Sequence, residues 1–327
     1  MKINSLNRRQ LMLAGLGAGC AHVSTWAADT FPNKPITFIV PFPAGGPTDH
    51  LFRALTALVA KSLGQSFVMD NRPGAFSAIA GGVLSRAKPD GYTVGVLPMT
   101  LNRFNLLGTT TLDVGRDFTP IARVAGQTFG IVVKSDSPYR TVADVVKAAK
   151  EKPGTINYGT SGIASSTHVG MEEFSRMAGI QLNHIPFKGF AESSVQLLGG
   201  QLDLMSEAAA WAPYIENGKM RALCVWNEQR HPQLPNVPTM KELGYDLVMT
   251  APFGIGAPPG LDIQAASKLG EAFKRAVLSN EFKAEAAKIL APVMYQDAVA
   301  FRKYIQENFD WEKAMVERLK LKEKIKN

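Results

Sequence analysis

From Lys34 onward the chain alternates between short, continuous apolar runs and longer stretches whose apolar residues recur three and four apart. Ile36-Thr37-Phe38-Ile39-Val40 reads as a strand buried on both faces. The Pro/Gly loop from Pro41 to Pro47 separates it from Leu51, Leu55, Leu58 and Val59, which fall on one helical face, with Gly64 as the C-terminal cap. Ser66 to Met69 and Tyr92 to Leu97 are further strands, with a turn at Asn71-Arg72-Pro73-Gly74 and a helix over Ala78 to Ala87 between them. After Phe118 the alternation resumes with strands at Ile131–Val133 and Ile156–Tyr158. Thr141, with Asp144 three residues on, predicts a capped helix, and His168 to Ala178 predicts another, closed by Gly179. His184-Ile185-Pro186-Phe187 precedes Lys188-Gly189, and a helix over Val195 to Leu198 and strands at Leu202–Met205 and Arg221–Trp226 follow. From Leu261 the pattern is mostly helical, with Phe301, Ile305 and Phe309 as a packing stripe.

Strand–helix–strand alternation of this kind specifies an α/β fold with mostly parallel sheets flanked by helices. A length of 327 residues is too great for one ordinary core and predicts two lobes. Residues 29–125 with 250–327 are expected to form lobe 1 and residues 126–249 lobe 2. The Thr250–Gly256 segment reads as a return strand, giving a hinge of two crossings. Trp211 and Trp226 are expected in the core of the second lobe.

Composition narrows the function. Apolar residues make up 46% and charged residues 20%, which excludes a disordered chain. The net charge of +8 looks suited to nucleic acid until it is located. Lys2, Arg8 and Arg9 supply one concentration of it, and the basic stretch from Arg318 to Lys326 another. No basic face is implied on the folded body, so no nucleic-acid partner is expected. Asn7-Arg8-Arg9, a short apolar run from Leu11 to Ala21 and small residues at Ala27-Ala28 read as a signal peptide over residues 1–28. Paired arginines fit the twin-arginine route, and an ordinary Sec signal fits equally. Cleavage near Ala27-Ala28 removes Cys20 and leaves Cys224 alone, so no internal disulfide is expected. The five histidines lack metal-ligand spacing, and neither metal nor cofactor is expected.

Four glycine-rich or polar loops follow strands and precede helices, where open α/β sheets take ligands. They are Pro43–Asp49, Arg72–Ser77, Gly159–His168 and Pro186–Gly189. The helix N-termini beyond them offer unpaired amides to a carboxylate or phosphate. Plainer readings stand beside these: Thr48 or Asp49 as a helix cap, His168 as a packed helix-start residue, Lys188 as a solvated charge. Gly159-Thr160-Ser161-Gly162 is one residue short of a nucleophile elbow, and no phosphate-loop or dinucleotide motif occurs. No acid is evidently placed to orient His168 beside Ser166, so no catalytic residue is assigned and an enzyme is not expected.

The motifs, in order, resemble the tripartite tricarboxylate transporter receptor (Bug) family. They are Lys34-Pro35-Ile36 to Val40-Pro41-Phe42, Ala44-Gly45-Gly46-Pro47-Thr48-Asp49, and Asn71-Arg72-Pro73-Gly74-Ala75 with Pro89-Asp90-Gly91-Tyr92-Thr93. Asn157 to Gly162 with His168, His184 to Gly189, Gly199 to Asp203 and Val237-Pro238-Thr239 complete the set. The resemblance implies a two-lobed periplasmic-binding-protein fold (type II-like) that closes over a small carboxylate and hands it to a tripartite tricarboxylate-type membrane permease. It implies a periplasmic protein, and a monomer is expected. A ligand sensor on the same fold, or an exported carboxylate-processing enzyme, are the alternative readings. The implied ligand contacts are Phe42, Ala44, Gly45, Gly46, Thr48 and Asp49, then Ala75, Phe76 and Ser77. The other lobe would add Thr160, Ser161, Ser165, Ser166, Thr167, His168, Lys188 and Glu207. In the family the first loop holds a ligand carboxylate through backbone amides and waters, so Asp49 is expected to orient waters. Two departures stand out. Phe76 and Ser77 replace glycines, and Phe187 replaces a tyrosine. Phe76 either lines the pocket or turns into the core, and both changes point away from a citrate-like ligand toward a less polar carboxylate, an aromatic one included.

Overall fold

The computed structural model describes residues 31–324. The expected signal peptide, its cleavage point and Cys20 lie outside the described residues. The described residues form two β-sheets, each with helices on both faces. The first contains β1 (Ile36–Val40), β2 (Phe67–Asn71), β3 (Thr93–Pro98), β4 (Thr119–Ala125), β10 (Phe253–Ala257) and β11 (Val293–Asp297), in the order β11-β4-β10-β3-β1-β2. The second contains β5 (Phe129–Lys134), β6 (Asn157–Thr160), β7 (Asn183–Pro186), β8 (Leu204–Ala208) and β9 (Met220–Val225), in the order β7-β6-β8-β5-β9.

Most strands of each sheet run one way, as the alternation predicts. The sheets are nevertheless mixed. β10 is antiparallel to both β3 and β4, and β5 is antiparallel to both β8 and β9. These two are the strands through which the chain enters the other lobe. A strand arriving from outside has no crossover helix behind it, so nothing forces it parallel.

The continuous apolar run of β1 is explained by burial on both faces. Phe38 and Val40 enter one cluster with Leu51, Leu55 and Val59 of helix α1 (Pro47–Leu63). Ile39 enters the opposite cluster with Leu84 of α2 (Ala78–Ser85) and Leu101 of α3 (Thr100–Leu106). Gly64 caps α1 with a left-handed φ of 69°. In the second lobe, Thr141 and Asp144 form the predicted capping box at the start of α4 (Val142–Glu151). Trp226 is fully buried under α5 (Ser166–Ala178), where Gly170 leaves room for the ring: a Cβ there would lie 2.2 Å from it. Trp211 is equally buried on the other face, beside α6 (Phe190–Leu198) and α7 (Ala212–Glu216).

The C-terminal region adds a third connection to the two expected crossings. After α8 (Ile263–Leu278), α9 (Asn280–Lys288) and β11, helix α10 (Ala298–Arg318) runs from one lobe to the other. Phe301 and Ile305 pack in the first lobe, while Met315 and Val316 pack in the core of the second. Leu319 and Leu321, the latter opening α11 (Leu321–Lys324), join that second core, and Phe309 is only half-buried. At 1.5 Å per residue, 21 residues span about 30 Å, long enough to reach both cores. Among the described residues, three connections therefore join the sheets: the link Gly126–Thr128, the segment 226–252, and α10.

Candidate functional site

The first loop is built around a buried carboxylate. Asp49, fully buried in the first turn of α1, accepts hydrogen bonds from the Gly45 amide, Arg53 Nε and Asn71 Nδ2, each at 2.8 Å. Burial raises its pKa, but the bonds from Arg53, Asn71 and Gly45 outweigh this and hold it below the usual carboxylate range. Asn71 also donates to the Phe42 carbonyl at 3.0 Å. Asp49 thus pins the loop to the end of β2. Three of its acceptor sites are engaged in holding the loop. Gly46 is the N-cap and provides no side-chain cap, so the first-turn amides of α1 have no side-chain acceptor.

The second loop is a tight turn in which Ala75, Phe76 and Ser77 all have positive φ, at 45°, 51° and 76°. Such values are unusual for side chains with a Cβ. The turn presents the Phe76 ring at 50% exposure, stacked on Phe104 at 4.0 Å between centroids. Phe76 therefore does not enter the core.

The third loop leads into α5. Ser165 is the N-cap and accepts from the His168 amide at 3.2 Å. Ser165 Oγ lies 3.0 Å from Thr167 Oγ1, which lies 3.3 Å from Ser161 Oγ, so three hydroxyls form a chain at the positive end of the helix. Glu207, on β8, is 3% exposed and accepts from Ser193 Oγ at 3.1 Å, with Ser161 also beside it. Burial pushes its carboxyl up to about 7, and the two serines only partly counter this.

These parts meet in a cleft of about 550 Å³ between the sheets. The first lobe contributes Pro41 to Pro43, Phe76, Ser77 and Met99-Thr100, and the second contributes Ser161, Ser165, Ser166, Thr167 and Glu207. Phe42, Phe76, Ser77, the four hydroxyl residues and Glu207 were all nominated from the sequence. An adjoining cavity of about 300 Å³ shares Gln127, Ala208 and Phe253 with the cleft and is lined by Pro47 and Thr48.

The other nominated residues stand apart from the cleft wall. Ala44 and Gly45 are exposed on the loop that Asp49 holds, Gly46 is half-buried there, and Ala75 is exposed without lining the cleft. Thr160 is fully buried, its Oγ1 2.7 Å from His184 Nε2. His168 accepts from the Ala164 amide at Nδ1, 3.0 Å, and stacks on His184 at 4.0 Å. Burial pushes its pKa down to about 4, so the imidazole is neutral and structural at ordinary pH. Lys188 is exposed, and only its backbone amide is engaged, donating to Glu192. Thr100, Gln127, Phe129, Phe190, Ala251 and Phe253 line the cleft without having been nominated. Gln127 and Ala251 belong to the connections between lobes, where no loop motif marks a ligand.

Among the described residues, the side chains of the cleft wall include no lysine, arginine or histidine, and Glu207 is its one ionisable group. Among the described residues no group of three or more His, Cys, Asp or Glu is placed to hold a metal ion. No helix among them is long and apolar enough to cross a membrane.

Comparison with known proteins agrees with this geometry. The model of the "Tripartite tricarboxylate transporter family receptor" matches residues 51–321. The "UPF0065 protein in gbd 5'region" of Cupriavidus necator is 37% identical over 320 residues, covering 96% of this chain and 98% of that protein. MatC (Rpa3494) from Rhodopseudomonas palustris, solved with bound malate, superposes with a TM-score of 0.75 at 26% identity over 88% of this chain and 100% of its own. Rpa4515 from R. palustris, solved with adipate, gives 0.77 at 27% identity, covering 88% and 98%. Family and fold are those of solute-binding proteins. Two lobes joined by antiparallel crossing strands, a cleft between them and a match running through both lobes make this chain a member of the tripartite tricarboxylate transporter receptor family.

Proposed function

We propose that the protein is a periplasmic receptor that captures a small carboxylate between its lobes and delivers it to a tripartite tricarboxylate-type membrane permease. One observation carries the reading. The hydroxyl chain at the start of α5 faces the Phe76–Ser77 turn across a single cleft. An oxyanion set against those hydroxyls and the α5 amides meets donors and a positive dipole end without a cationic side chain. Residues 1–28 would direct export. Residues 29–125 with the return from 250 would form one lobe and residues 126–249 the other, with α10 shared between them. Malate and adipate in the solved relatives support a carboxylate as the ligand class.

The apolar wall refines that class. Phe76, Phe42, Phe129, Phe190 and Met99 surround the cleft, and the one acid there is the protein's own. A carboxylate with an apolar or aromatic body fits this wall better than citrate. A thermal-shift screen of the purified protein against mono-, di- and aromatic carboxylates tests it. A ligand that binds only the folded state stabilises by about 2.7 kcal/mol at a hundredfold excess over Kd. The expected result is a clear shift with benzoate- or adipate-type acids and a smaller one with citrate. Citrate outcompeting those acids would overturn the refinement, and no shift with any acid would overturn the carboxylate assignment.

A further inference from the structure

Glu207 is hard to reconcile with an ionised cleft. It lines the space where the ligand is proposed to sit, and it is almost wholly buried. Its hydrogen-bond partners are neutral hydroxyls, Ser193 and Ser161. Among the described residues, no charged side chain hydrogen-bonds it or shifts its titration. On β5 its partner residue is Gly130, and Lys134, at the far end of that strand, pairs with Asp136. On β6, Tyr158 bonds Glu172. At the start of α6, Glu192 accepts from the Lys188 amide. His184, on β7, bonds Thr160 and stacks on His168 of α5. Two carboxylates sharing one small, poorly solvated site cannot both keep their charge, and the proton goes to the more buried one.

Resting on the carboxylate reading above, we propose that Glu207 is protonated when the cleft is filled and donates its O–H to a carboxylate oxygen of the ligand. Capture of the anion then takes up one proton from solvent whenever Glu207 is ionised in the empty protein. The proton ends on Glu207, no covalent bond is made or broken in the ligand, and net charge is conserved. The raised pKa of Glu207, about 7, places the transition where it is measurable. Below neutrality affinity is flat. Above it affinity falls about tenfold per pH unit, because each unit of pH costs one proton's worth of binding. Glu207 is in this sense a specificity-determining residue. It favours a ligand oxyanion and disfavours a ligand O–H or N–H donor at the same place.

Calorimetric titration of the purified protein with adipate, benzoate and aspartate, in buffers of different ionisation enthalpy, decides the matter. The expected result for adipate or benzoate is uptake of close to one proton at about pH 8 and close to none at about pH 5.5. Glu207→Gln keeps an N–H donor at the same position and is expected to bind with no pH dependence over this range. Carboxylate binding with no proton uptake by the wild-type protein at any pH from about 5.5 to about 9 overturns the inference and leaves the receptor reading standing. So does tighter binding of aspartate as pH rises, with loss of that binding in Glu207→Gln, which makes Glu207 a counter-ion for an ammonium group. Absence of binding by all three acids at every pH overturns both readings. The wild-type proton count decides the inference by itself if the variant does not fold.

Discussion

Phe76 and Glu207 set the character of the cleft from opposite walls. Phe76 sits in a turn of three positive-φ residues, and its ring is held open to the cleft by stacking on Phe104 at 4.0 Å. Such a pair adds roughly 0.5–1.5 kcal/mol beyond burial. Phe76→Ala keeps the turn's backbone demand and removes only the ring. Affinity for an aromatic or adipate-type acid is expected to fall about tenfold, with a smaller change for citrate; equal losses for both would show that the ring shapes the turn rather than meeting the ligand. Glu207 makes a second prediction, on stability. Its folded pKa of about 7 lies above the ordinary value of 4.5. Between these values the folded chain holds a proton that the unfolded chain has released. Stability therefore falls as pH rises through that window and is level above it, by an amount on the order of 3 kcal/mol for a shift of this size in a buried group. Urea denaturation of Glu207→Gln is expected to lack this fall and to exceed the wild type near pH 8. Parallel pH profiles for the two proteins would place the proton elsewhere.

At the level of elements, α1 and α5 differ in one useful respect. Ser165 caps α5 with its side chain, whereas Gly46 leaves the start of α1 uncapped. Gly46 has an ordinary φ of −77°, and a Cβ there would meet only the Pro43 carbonyl at 3.5 Å. A serine therefore fits. Gly46→Ser is expected to raise stability by a few tenths of a kcal/mol through the new cap. It also gives the first-turn amides an internal acceptor that competes with a ligand oxyanion, so carboxylate affinity is expected to fall several-fold. A more stable variant with unchanged affinity would remove α1 from the site. The helix starts and stops were readable from the chain because their signals are local: Thr141 with Asp144, and Gly64 and Gly179 with left-handed backbones. The direction of β5 and β10 was not readable, because a strand buried on both faces has the same apolar run whichever way its neighbours point. β4 and β11 were passed over as strands. The part of the candidate site legible in the sequence lay mostly on loops between strand and helix, with Glu207 on β8 as the exception. Asp49, His168 and Thr160 share those loops but turn inward to hold them, and sequence spacing does not tell a residue that shapes a loop from one that the loop presents. Gln127 and Ala251 reach the cleft only because the lobes are joined there.

Across the whole molecule, the lobes are tied by more than their connecting strands. Arg103, on α3, is 1% exposed and forms a bidentate pair with Glu312 of α10, at 2.8 and 2.7 Å. Its Nη1 also donates to the Ala164 carbonyl at 3.1 Å, in the hydroxyl-bearing loop of the other lobe. Further along α10, Arg318 pairs with the buried Glu173 of α5. One end of α5 is thus held by Arg103 and its flank by α10, so the loop that lines the cleft is positioned from the opposite lobe. Removing one partner leaves a buried charge unpaired. Glu312→Ala is expected to cost about 3–5 kcal/mol, and replacing both by apolar residues of similar size far less. The double variant Arg103→Met, Glu312→Leu separates stability from function. It is expected to unfold near the wild-type denaturant midpoint, to show a larger radius of gyration by X-ray scattering without ligand, and to bind carboxylates more weakly because the 161–167 loop has lost its anchor. If it scatters and binds as the wild type does, the pair holds α3 to α10 and has no part in setting how far the lobes open. Closure would then rest on the two strand crossings and the ligand alone.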